Sequence, residues 1–414
     1  MSNKVLVVGG GFSGITAALE AAEVGYEVYI VEKEPFLGGR VAQLNKYFPK
    51  LCPPSCGLEI QFQRIRNNPK VKYFTMAEVI TVTGEAGNYQ AKIRLNPRYV
   101  NENCTCCGAC EEACNTTVEN DFDFGLGTRK AIYRPVIFGL PQRYVLEKDK
   151  CSESELAEVK KACPYDAVDL ADTAKEITLD VGAIVWATGW KPYDVTKLTN
   201  LGAGKLDNVV SNMQMERLAA PNGPTKGKLV RPADNKAPKN VAFVQCAGSR
   251  DENHLSYCSY ICCMASLKQA TYVRDLYPDA KVTIYYIDLR TPGRYEKFLA
   301  RIRQDSNIRL VKGKVADIAQ GEGGDVILTV EDAVSAVKSR ETHDLVVLAT
   351  GMQPSVAGQT LPIDVAMDEE GFITGGADKG IFVVGCAKKP LDVMRSAQTG
   401  TGAALNAIQT VSGR

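Results

Sequence analysis

Short apolar runs alternate with helical patterns along this chain, and the first such unit lies at its beginning. Residues 4–8 form a continuous apolar run, which predicts a buried parallel strand. Residues 15–24 are rich in alanine with apolar positions at helical spacing, and a second apolar run, 26–31, ends at Glu32. The pattern therefore predicts a strand, a helix and a parallel strand, which is the βαβ unit of an α/β fold.

Comparable patterns recur further along the chain. They predict, in chain order, a β-meander at 77–95, an apolar strand at 183–189, a strand–helix–strand unit at 240–287, a second apolar strand at 345–351, and a strand followed by a helix at 380–410. Both apolar strands end in Ala-Thr-Gly. The chain is thus predicted to be an α/β protein with two βαβ-based domains.

Composition excludes several classes of function. The 49 basic and 48 acidic residues leave a net charge of +1, which does not favour nucleic acid or an anionic membrane surface as the main partner. No apolar run reaches the roughly 18 residues of a membrane span, and the N-terminus enters a strand without signal-peptide features. We therefore expect a cytoplasmic protein, and any link to a membrane must run through a partner. The two histidines, His254 and His343, are expected to be ordinary surface residues.

The turn after the first strand carries a dinucleotide-binding motif. Gly9, Gly11 and Gly14 have the GxGxxG spacing, in which the glycines allow a tight turn, the approach of a pyrophosphate and close packing of helix on strand. Glu32 follows the second strand, where an acid accepts hydrogen bonds from ribose hydroxyls. Because FAD and NAD share this motif, the choice between them depends on other segments.

Those segments resemble flavoproteins of the thioredoxin reductase-like group, which have two dinucleotide-binding domains. The resemblance rests on Gly38-Gly39-Arg40, on the two Ala-Thr-Gly strands and on the strand ending at Gly385, where Cys386 replaces the usual Asp. It implies FAD. The implied flavin contacts are Gly9, Gly11, Phe12, Ser13, Gly14, Glu32, Lys33, Gly39, Arg40, Ala187, Thr188, Gly189, Gly351, Gly385, Cys386 and Thr399.

A cysteine-rich segment of roughly 75 residues lies between the meander and the first Ala-Thr-Gly strand. Its run Cys104-x2-Cys107-x2-Cys110-x3-Cys114 is the bacterial ferredoxin spacing, and a Cys-Pro pair begins at Cys163. We predict one 4Fe–4S cluster held by Cys104, Cys107, Cys110 and Cys163, with Cys106 as a bystander. A second cluster would retain only Cys114 and Cys151 and is predicted to be lost. A zinc ribbon is the alternative, although zinc sites usually use two separated CxxC pairs.

The second βαβ unit lacks the glycine spacing after its first strand, which disfavours NAD(P) binding there. Four cysteines take that place: Cys246, Cys258, Cys262 and Cys263. Spacing alone leaves two interpretations open, an atypical second 4Fe–4S site and a group of buried structural thiols.

Taken together, the Gln-Cys-x-Gly-Ser-Arg and Cys-Ser-x-x-Cys-Cys segments, the ferredoxin-like insertion and the Gly-Gly-Gly-Phe-Ser-Gly opening resemble the A subunit of heterodisulfide reductase. The resemblance covers essentially the whole chain. It implies that Cys246, Cys258, Cys262 and Cys263 ligate an atypical 4Fe–4S cluster, which brings the expected total to two. Cys52 and Cys56, spaced CxxxC, resemble the CxxC-like loop of the family, which implies either a redox-active thiol pair or stiffly held loop thiols.

The compact chain is most similar to the A subunit of quinone-interacting membrane-bound oxidoreductase complexes of sulfate reducers. That similarity implies electron transfer between the menaquinone pool and adenylylsulfate reductase. The implied partners are a second heterodisulfide reductase A-like subunit, together with a quinone-reactive membrane subunit. Alternatives are an NAD(P)H-dependent disulfide oxidoreductase of thioredoxin reductase type, a bifurcating flavoprotein and a non-catalytic assembly subunit.

The expected domain order follows from these segments. It is a first part of the FAD-binding domain at 1–97, a ferredoxin-like insertion at 98–172, a second FAD-binding part at 173–235, a degenerate pyridine-nucleotide-like domain at 236–340 and a C-terminal FAD-binding part at 341–414.

Overall fold

A computed structural model describes residues 2–413. Its α-helices are α1 (Phe12–Glu23), α2 (Pro54–Asn67), α3 (Ala109–Ala113), α4 (Glu153–Ala162), α5 (Asn212–Ala219), α6 (Cys262–Leu276), α7 (Glu296–Ile302) and α8 (Val393–Val411). Its strands are β1 (Lys4–Val8), β2 (Glu27–Val31), β3 (Val71–Phe74), β4 (Ala77–Glu85), β5 (Asn88–Leu95), β6 (Thr117–Glu119), β7 (Thr128–Lys130), β8 (Ile132–Tyr133), β9 (Val145–Leu146), β10 (Lys175–Val181), β11 (Ala183–Trp186), β12 (Trp190–Pro192), β13 (Val209–Ser211), β14 (Asn240–Ala247), β15 (Lys281–Tyr286), β16 (Ile308–Gln320), β17 (Val326–Asp332), β18 (Lys338–His343), β19 (Leu345–Thr350), β20 (Met352–Pro354) and β21 (Ile381–Val383). No helix within these residues is long and apolar enough to cross a membrane.

The chain divides into two units. Unit 1 contains the residues up to Trp190 and those from Pro354 onward, and unit 2 runs from Lys191 to Gln353. This division differs from the expected one, because residues 191–235 and 341–353 fold with unit 2. The reason is strand pairing: β13 and β14 both pair with β19, so all three belong to one sheet.

The core of unit 1 is a parallel sheet with the strand order β21-β11-β1-β2-β3. Successive side chains of a strand point to opposite faces. Val5 and Val7 therefore lie in a core formed with α1 and α8, whereas Leu6 and Val8 lie in a second core that includes residues of β5. Burial on both faces explains why β1 appears in the sequence as a continuous apolar run.

The predicted meander is confirmed and belongs to unit 1. Its sheet has the order β10-β5-β4, with β5 antiparallel to both neighbours. Lys175 of β10 is paired with Leu95 of β5, so the segment between them is an insertion within one sheet. That insertion has a core of its own, which includes Val100, Ile132 and Val159.

The core of unit 2 is a seven-stranded sheet with the order β13-β19-β14-β15-β16-β17-β18. The first five strands are parallel; β17 pairs antiparallel with β16, and β18 pairs antiparallel with β17 at the edge of the sheet. Helices α5 and α6 contact each other and are joined by a buried ion pair, Lys268 Nζ to Glu216 Oε1 at 3.0 Å. Unit 2 thus has the predicted strand–helix–strand unit, β14–α6–β15, at its centre.

The expectation that both histidines are ordinary surface residues is wrong for His343. This residue is 2% exposed at the end of β18. Nε2 lies 3.0 Å from the hydroxyl of Tyr285, and Nδ1 lies 3.1 Å from Oδ1 of Asn240. The sequence carries no sign of this burial, because β18 is otherwise polar and its register is set by β17.

Acidification is expected to destabilise the fold through His343. Burial lowers the pKa of His343 to about 4, from an ordinary value of 6.5. Between these two values the unfolded chain binds more protons than the folded one, so this contribution to the free energy of unfolding is present above pH 6.5 and is lost as the pH falls toward 4. The full contribution is about 3 kcal/mol.

Urea unfolding of the wild type and of His343→Gln at several pH values measures this contribution. The variant should lose less stability than the wild type on acidification, because its amide does not titrate. Equal losses in the two proteins would contradict the assignment.

Candidate functional site

The glycine turn joins β1 to α1 within residues 9–11 of unit 1. Gly9 has φ +108°, and a Cβ there would lie 2.3 Å from the carbonyl oxygen of Ala187. A Cβ on Gly14 would lie 2.0 Å from the carbonyl oxygen of Gly9. These two positions therefore require glycine for the packing of the protein itself. Gly11 differs, because its Cβ would meet only the Cα of Gly39, at 3.9 Å, so this part of the backbone is open to a ligand.

The second glycine segment lies directly against this turn. The N–H of Gly38 donates to the carbonyl of Gly10 at 2.8 Å. A Cβ on Gly39 would come within 2.9 Å of Gly11 Cα, so the two segments approach each other with no side chain between them. The guanidinium of Arg40 follows; it donates to the carbonyl of Trp190 at 3.2 Å and to Gln43 Oε1 at 2.9 Å. Burial lowers its pKa from the ordinary value.

Glu32 is a buried carboxylate at the end of β2. Oε2 accepts the N–H of Gly10 at 2.6 Å, and Oε1 accepts the N–H of Glu34 at 2.8 Å. Burial raises its pKa to about 7, against the opposing effect of these backbone hydrogen bonds. The carboxylate is thereby held at the glycine turn with lone pairs remaining for ribose hydroxyls.

Residues 187–189 border the turn from β11. The N–H of Ala187 donates to the carbonyl of Val8 at 2.7 Å, which fixes this segment beside the end of β1. Thr188 Oγ1 is buried without a hydrogen-bond partner among residues 2–413, and Gly189 has φ +69° with no atom within 4 Å of the position that a Cβ would take. An unpartnered hydroxyl and a cradle without side chains fit a bound dinucleotide.

Three other predicted flavin contacts belong to the same turn or its edge. Phe12 starts α1, and its ring packs against Tyr47 with the centroids 6.2 Å apart. Ser13 is buried in the first turn of α1, and Lys33 is exposed after Glu32. The structure thus brings Ser13 to the glycine turn, while the Lys33 side chain faces solvent.

At the C-terminal strand, the thiol of Cys386 is not available as a flavin contact. The thiol is buried within unit 1, 3.4 Å from the carbonyl of Leu391 and 3.9 Å from Ser396 Oγ. Gly385 donates its N–H to Thr399 Oγ1 at 2.9 Å, which ties the strand end to α8. Any contact of residue 386 with a flavin would therefore be made by its backbone.

Gly351 belongs to unit 2, whereas the glycine turn belongs to unit 1. A Cβ there would lie 2.4 Å from Ser249 Oγ and 2.6 Å from the side chain of Leu255. Gly351 follows β19, a strand of the unit 2 sheet, and the residues around it belong to the loop between β14 and α6. The resemblance that implied a flavin contact could not reveal this packing.

The Cys52–Cys56 pair lies on the surface of unit 1, where α2 begins. Pro53 is the N-cap of α2 and Pro54 is its first residue, so the spacing includes a turn of fixed backbone. The two thiols are within hydrogen-bond reach, and this contact raises the pKa of Cys56, whose side chain is exposed. The geometry brings the pair together and leaves it accessible.

In the insertion, four predicted cluster ligands line a single pocket. Its walls include Cys104, Cys107, Cys110 and Cys163. Burial, with Cys104 and Cys163 nearby, raises the pKa of Cys110 to about 12. The N–H of Ala167 lies 3.3 Å from the sulfur of Cys163, a contact that also occurs around cluster sulfurs. Cysteine sulfurs grouped around a cavity fit a cluster, which binds them as thiolates and so releases their protons.

Cys106, predicted to be a bystander, lines the same pocket. It has φ +58°, and burial together with Cys104 raises the pKa of its thiol. The pocket therefore contains five thiols, one more than a cubane needs. The role of Cys106 stays a prediction.

In unit 2, the four cysteines meet where β14 ends and α6 begins. Cys246 has φ +57°, in an irregular part of β14 between Val244 and Ala247, and Cys262 and Cys263 form the first turn of α6. Full burial, together with the other three thiols, raises the pKa of Cys262 well above its ordinary value. The loop is held by the hydrogen bond between Ser249 and Ser259, 2.8 Å long.

Sequence reasoning missed two residues at this cysteine group. Arg250 hydrogen-bonds the thiol of Cys246 and lowers its pKa, against the larger effect of burial, which raises that pKa to about 11. The same guanidinium pairs with Asp288 at 2.9 Å. Gln245 has both amide atoms buried without partners among the described residues, which fits a polar group bound beside Cys246. Gln245 and Arg250 both belong to the Gln-Cys-x-Gly-Ser-Arg motif, so this motif was the sequence signal that could have identified them.

Known structures share this fold. The match to the thioredoxin reductase of Lactococcus lactis covers 100% of this chain and 100% of that protein, with 13% identity and a TM-score of 0.55. The match to the bacillithiol disulfide reductase of Bacillus cereus does likewise, with 16% identity and a TM-score of 0.52. Residues 4–48 match the family described as FAD dependent oxidoreductase. The chain therefore has the thioredoxin reductase-like fold.

Several curated proteins are similar to this chain over nearly its whole length. The iron-sulfur A subunits of the CoB–CoM heterodisulfide reductases of Methanocaldococcus jannaschii and Methanopyrus kandleri (number 2 of the latter organism) are each 39% identical over 98% of the chain, which spans 64% of their length. The A subunit of the ferredoxin:CoB–CoM heterodisulfide reductase of Methanosarcina mazei is 35% identical over 99% of the chain, which spans 53% of its length. The chain is thus a homologue of the heterodisulfide reductase A subunits, which confirms the resemblance.

Proposed function

We propose that this chain is an electron-transfer subunit of a multi-component redox complex, with FAD in unit 1 and 4Fe–4S clusters in the insertion and in unit 2. The proposal rests on a difference between the two units in the segment that joins the first strand of the βαβ unit to its helix. In unit 1 only residues 9–11 separate β1 from α1, whereas in unit 2 residues 248–261 separate β14 from α6, and four thiols lie at that junction. Unit 2 thus offers sulfur ligands at the position where unit 1 offers a glycine turn.

In unit 1, backbone groups and two charged side chains would hold the dinucleotide. The open backbone at Gly11 and Gly39, with the N-terminus of α1, would receive the pyrophosphate, and Glu32 would accept the ribose hydroxyls. Arg40 adds a positive charge that the surrounding hydrogen bonds keep in place. The further proposed contacts are Gly9, Phe12, Ser13, Gly14, Lys33, Ala187, Thr188, Gly189, Gly385 and Thr399.

The proposed cluster ligands are Cys104, Cys107, Cys110 and Cys163 in the insertion and Cys246, Cys258, Cys262 and Cys263 in unit 2. A flavin exchanges electrons in pairs or singly and an iron–sulfur cluster singly, so these groups together connect two-electron with one-electron chemistry. Around the unit 2 thiols, Arg250 supplies positive charge, and buried surroundings limit access of water. Both features tune the potential of a bound cluster.

Cofactor content is the direct test. Anaerobically purified protein should contain about eight iron atoms and eight sulfides per FAD, with a cluster signal in the EPR spectrum after reduction. About four irons per FAD would mean that one cysteine group is structural. Rapid bleaching of the flavin by NADPH alone would contradict the proposal and favour a disulfide oxidoreductase.

We further propose which redox complex contains this chain. The chain would act as the A subunit of a quinone-interacting membrane-bound oxidoreductase, passing electrons between the menaquinone side and adenylylsulfate reductase, at the cytoplasmic face of the inner membrane through partner subunits. Its support is the divergent second half of the insertion, where Glu153, Leu156 and Val159 occupy the expected ligand positions. Anaerobic affinity purification from the native cell should recover a quinone-reactive membrane subunit. Recovery of a methanogen-type heterodisulfide reductase catalytic subunit instead would overturn this form.

Cys52 and Cys56 are proposed as an accessory redox-active pair. Their thiols are within hydrogen-bond reach and accessible, so a disulfide needs little movement. Mild oxidation should form a disulfide between them, so that both thiols lose their reactivity toward an alkylating reagent together. Independent alkylation of the two thiols under those conditions would show that they are stiffly held loop cysteines.

A further inference from the structure

Two thiols and a carboxylate that take no part in the proposed clusters meet within the insertion. Cys114 follows α3, Cys151 precedes α4, and Glu155 lies in the first turn of α4. One sulfur or carboxylate oxygen from each lies within 4.8 Å of the others. Cys114 is fully buried in the core of the insertion, whereas Cys151 and Glu155 are partly exposed. The three groups therefore form a small site with one open side.

The carboxylate is oriented by neighbouring donors. Oε1 of Glu155 accepts the N–H groups of Asn115 at 2.5 Å and Thr116 at 2.7 Å. Oε2 accepts the hydroxyl of Thr116 at 2.6 Å and retains a lone pair for a further partner. Because these bonds hold the carboxylate beside both sulfurs, the ligand atoms need little reorganisation to receive a cation.

The spacing distinguishes this site from a cluster site. Ligand atoms within 4.8 Å of one another can close on a single ion, whereas a cubane holds its cysteine sulfurs further apart, at its corners. The pocket of the predicted cluster is lined by neither Cys114 nor Cys151. The two sites are therefore separate in space and in the kind of centre they fit.

We propose that Cys114, Cys151 and Glu155 bind a single thiophilic divalent cation, for which Zn2+ is the reference ion. Two sulfurs and a carboxylate oxygen give three protein ligands of a tetrahedral site, and water completes it on the open side. Binding releases the two thiol protons to solvent, so the site carries one net negative charge with the ion bound. The ion occupies the part of the ferredoxin-like segment where a second cluster is predicted to be lost.

The site has a structural consequence for the neighbouring cluster pocket. Cys110 lies on α3, and Cys163 is the C-cap of α4, so these two helices carry predicted ligands from both halves of the insertion. An ion held between the end of α3 and the start of α4 fixes these helices relative to each other. It thereby maintains the separation of Cys110 and Cys163.

Zinc analysis of the full chain tests the proposal independently of the electron-transfer function. The protein is reconstituted anaerobically with iron, sulfide and FAD, exposed to Zn2+ and washed with a weak chelator. Wild type should retain about one zinc per chain, with two sulfurs near 2.3 Å and oxygen ligands at about 2.0–2.2 Å in zinc-edge X-ray absorption. Cys114→Ser, Cys151→Ser and Glu155→Gln should lower retained zinc at least tenfold.

Glu158→Gln is the matched control, because Glu158 lies on the same helix but is exposed and outside the site. It should retain zinc as the wild type does. Glu155→Gln keeps both thiols and the side-chain shape, so it tests the site even where Cys114→Ser fails to fold. Iron and FAD measured in the same samples report separately on the proposed function.

Three results would overturn the proposal. Zinc absent from the washed wild type would show that the groups do not bind an ion. An all-sulfur zinc environment unchanged in Cys151→Ser would place the ion in a cluster site. About twelve irons per FAD in the wild type, of which about four are lost in Cys114→Ser or Cys151→Ser, would reveal a further cluster at this site instead.

Discussion

Gly11→Val is expected to yield a folded protein that has lost its FAD. The backbone at Gly11, with φ −74° and ψ −179°, accepts any residue, and the nearest atom to an added Cβ is Gly39 Cα at 3.9 Å. The valine therefore fits the apoprotein but occupies the space through which a pyrophosphate approaches the helix N-terminus. FAD affinity should fall more than a hundredfold, about 3 kcal/mol, measured by titrating apoprotein with FAD.

Gly402→Val is the matched control for this change. Gly402 lies on α8 with no atom within 4 Å of an added Cβ, so the same substitution meets no clash and no ligand. Its FAD content should equal that of the wild type, and both variants should retain wild-type circular dichroism. A flavin-replete Gly11→Val protein would contradict the proposed position of the pyrophosphate. Gly9 and Gly14 are unsuitable for this test, because a side chain at either would clash with the protein itself.

Cys110→Ser and Cys262→Ser are each expected to remove about four irons per chain, and the double variant about eight. Each replaces a buried thiol that lies among the other proposed ligands of its group, so the remaining sulfurs cannot complete a cubane. Iron and sulfide analysis with EPR measures the loss. Cluster-specific loss in each single variant would establish two independent centres.

Cys106→Ser is the informative comparison for the insertion. Cys106 lines the same pocket as Cys110, so position alone does not exclude it as a ligand. The ferredoxin spacing predicts that its replacement leaves iron content unchanged. Iron loss in Cys106→Ser with retention in Cys110→Ser would reverse the assignment of these two residues.

The sequence predicted those features that depend on local patterns. The strand at residues 4–8, the glycine turn and the meander each combine neighbouring residues with a fixed period or spacing, and all are present. The grouping of Cys104, Cys107 and Cys110 likewise follows from close spacing in one loop. Homology to the heterodisulfide reductase A subunits was also visible from such motifs.

Features that depend on distant residues could not be predicted. The boundary between the units follows from the pairing of β13 with β19, whose residues are far apart in the chain. The inward orientation of the Cys386 thiol depends on Leu391 and Ser396, and the burial of His343 depends on Tyr285. The meeting of Cys114 with Glu155 requires the two helices of the insertion to pack, which no spacing rule describes.

The insertion leaves the β10-β5-β4 sheet at Leu95 and returns to it at Lys175, and these two residues are cross-strand partners. Its two ends are thus only about 5 Å apart, the ordinary spacing of paired strands. A tight turn could join β5 to β10 without changing either register. The cysteine-bearing segment can therefore be gained, lost or exchanged as a cassette, since the sheet that carries it needs no rearrangement. The same fold could thus carry different electron-transfer segments between β5 and β10 over the course of evolution.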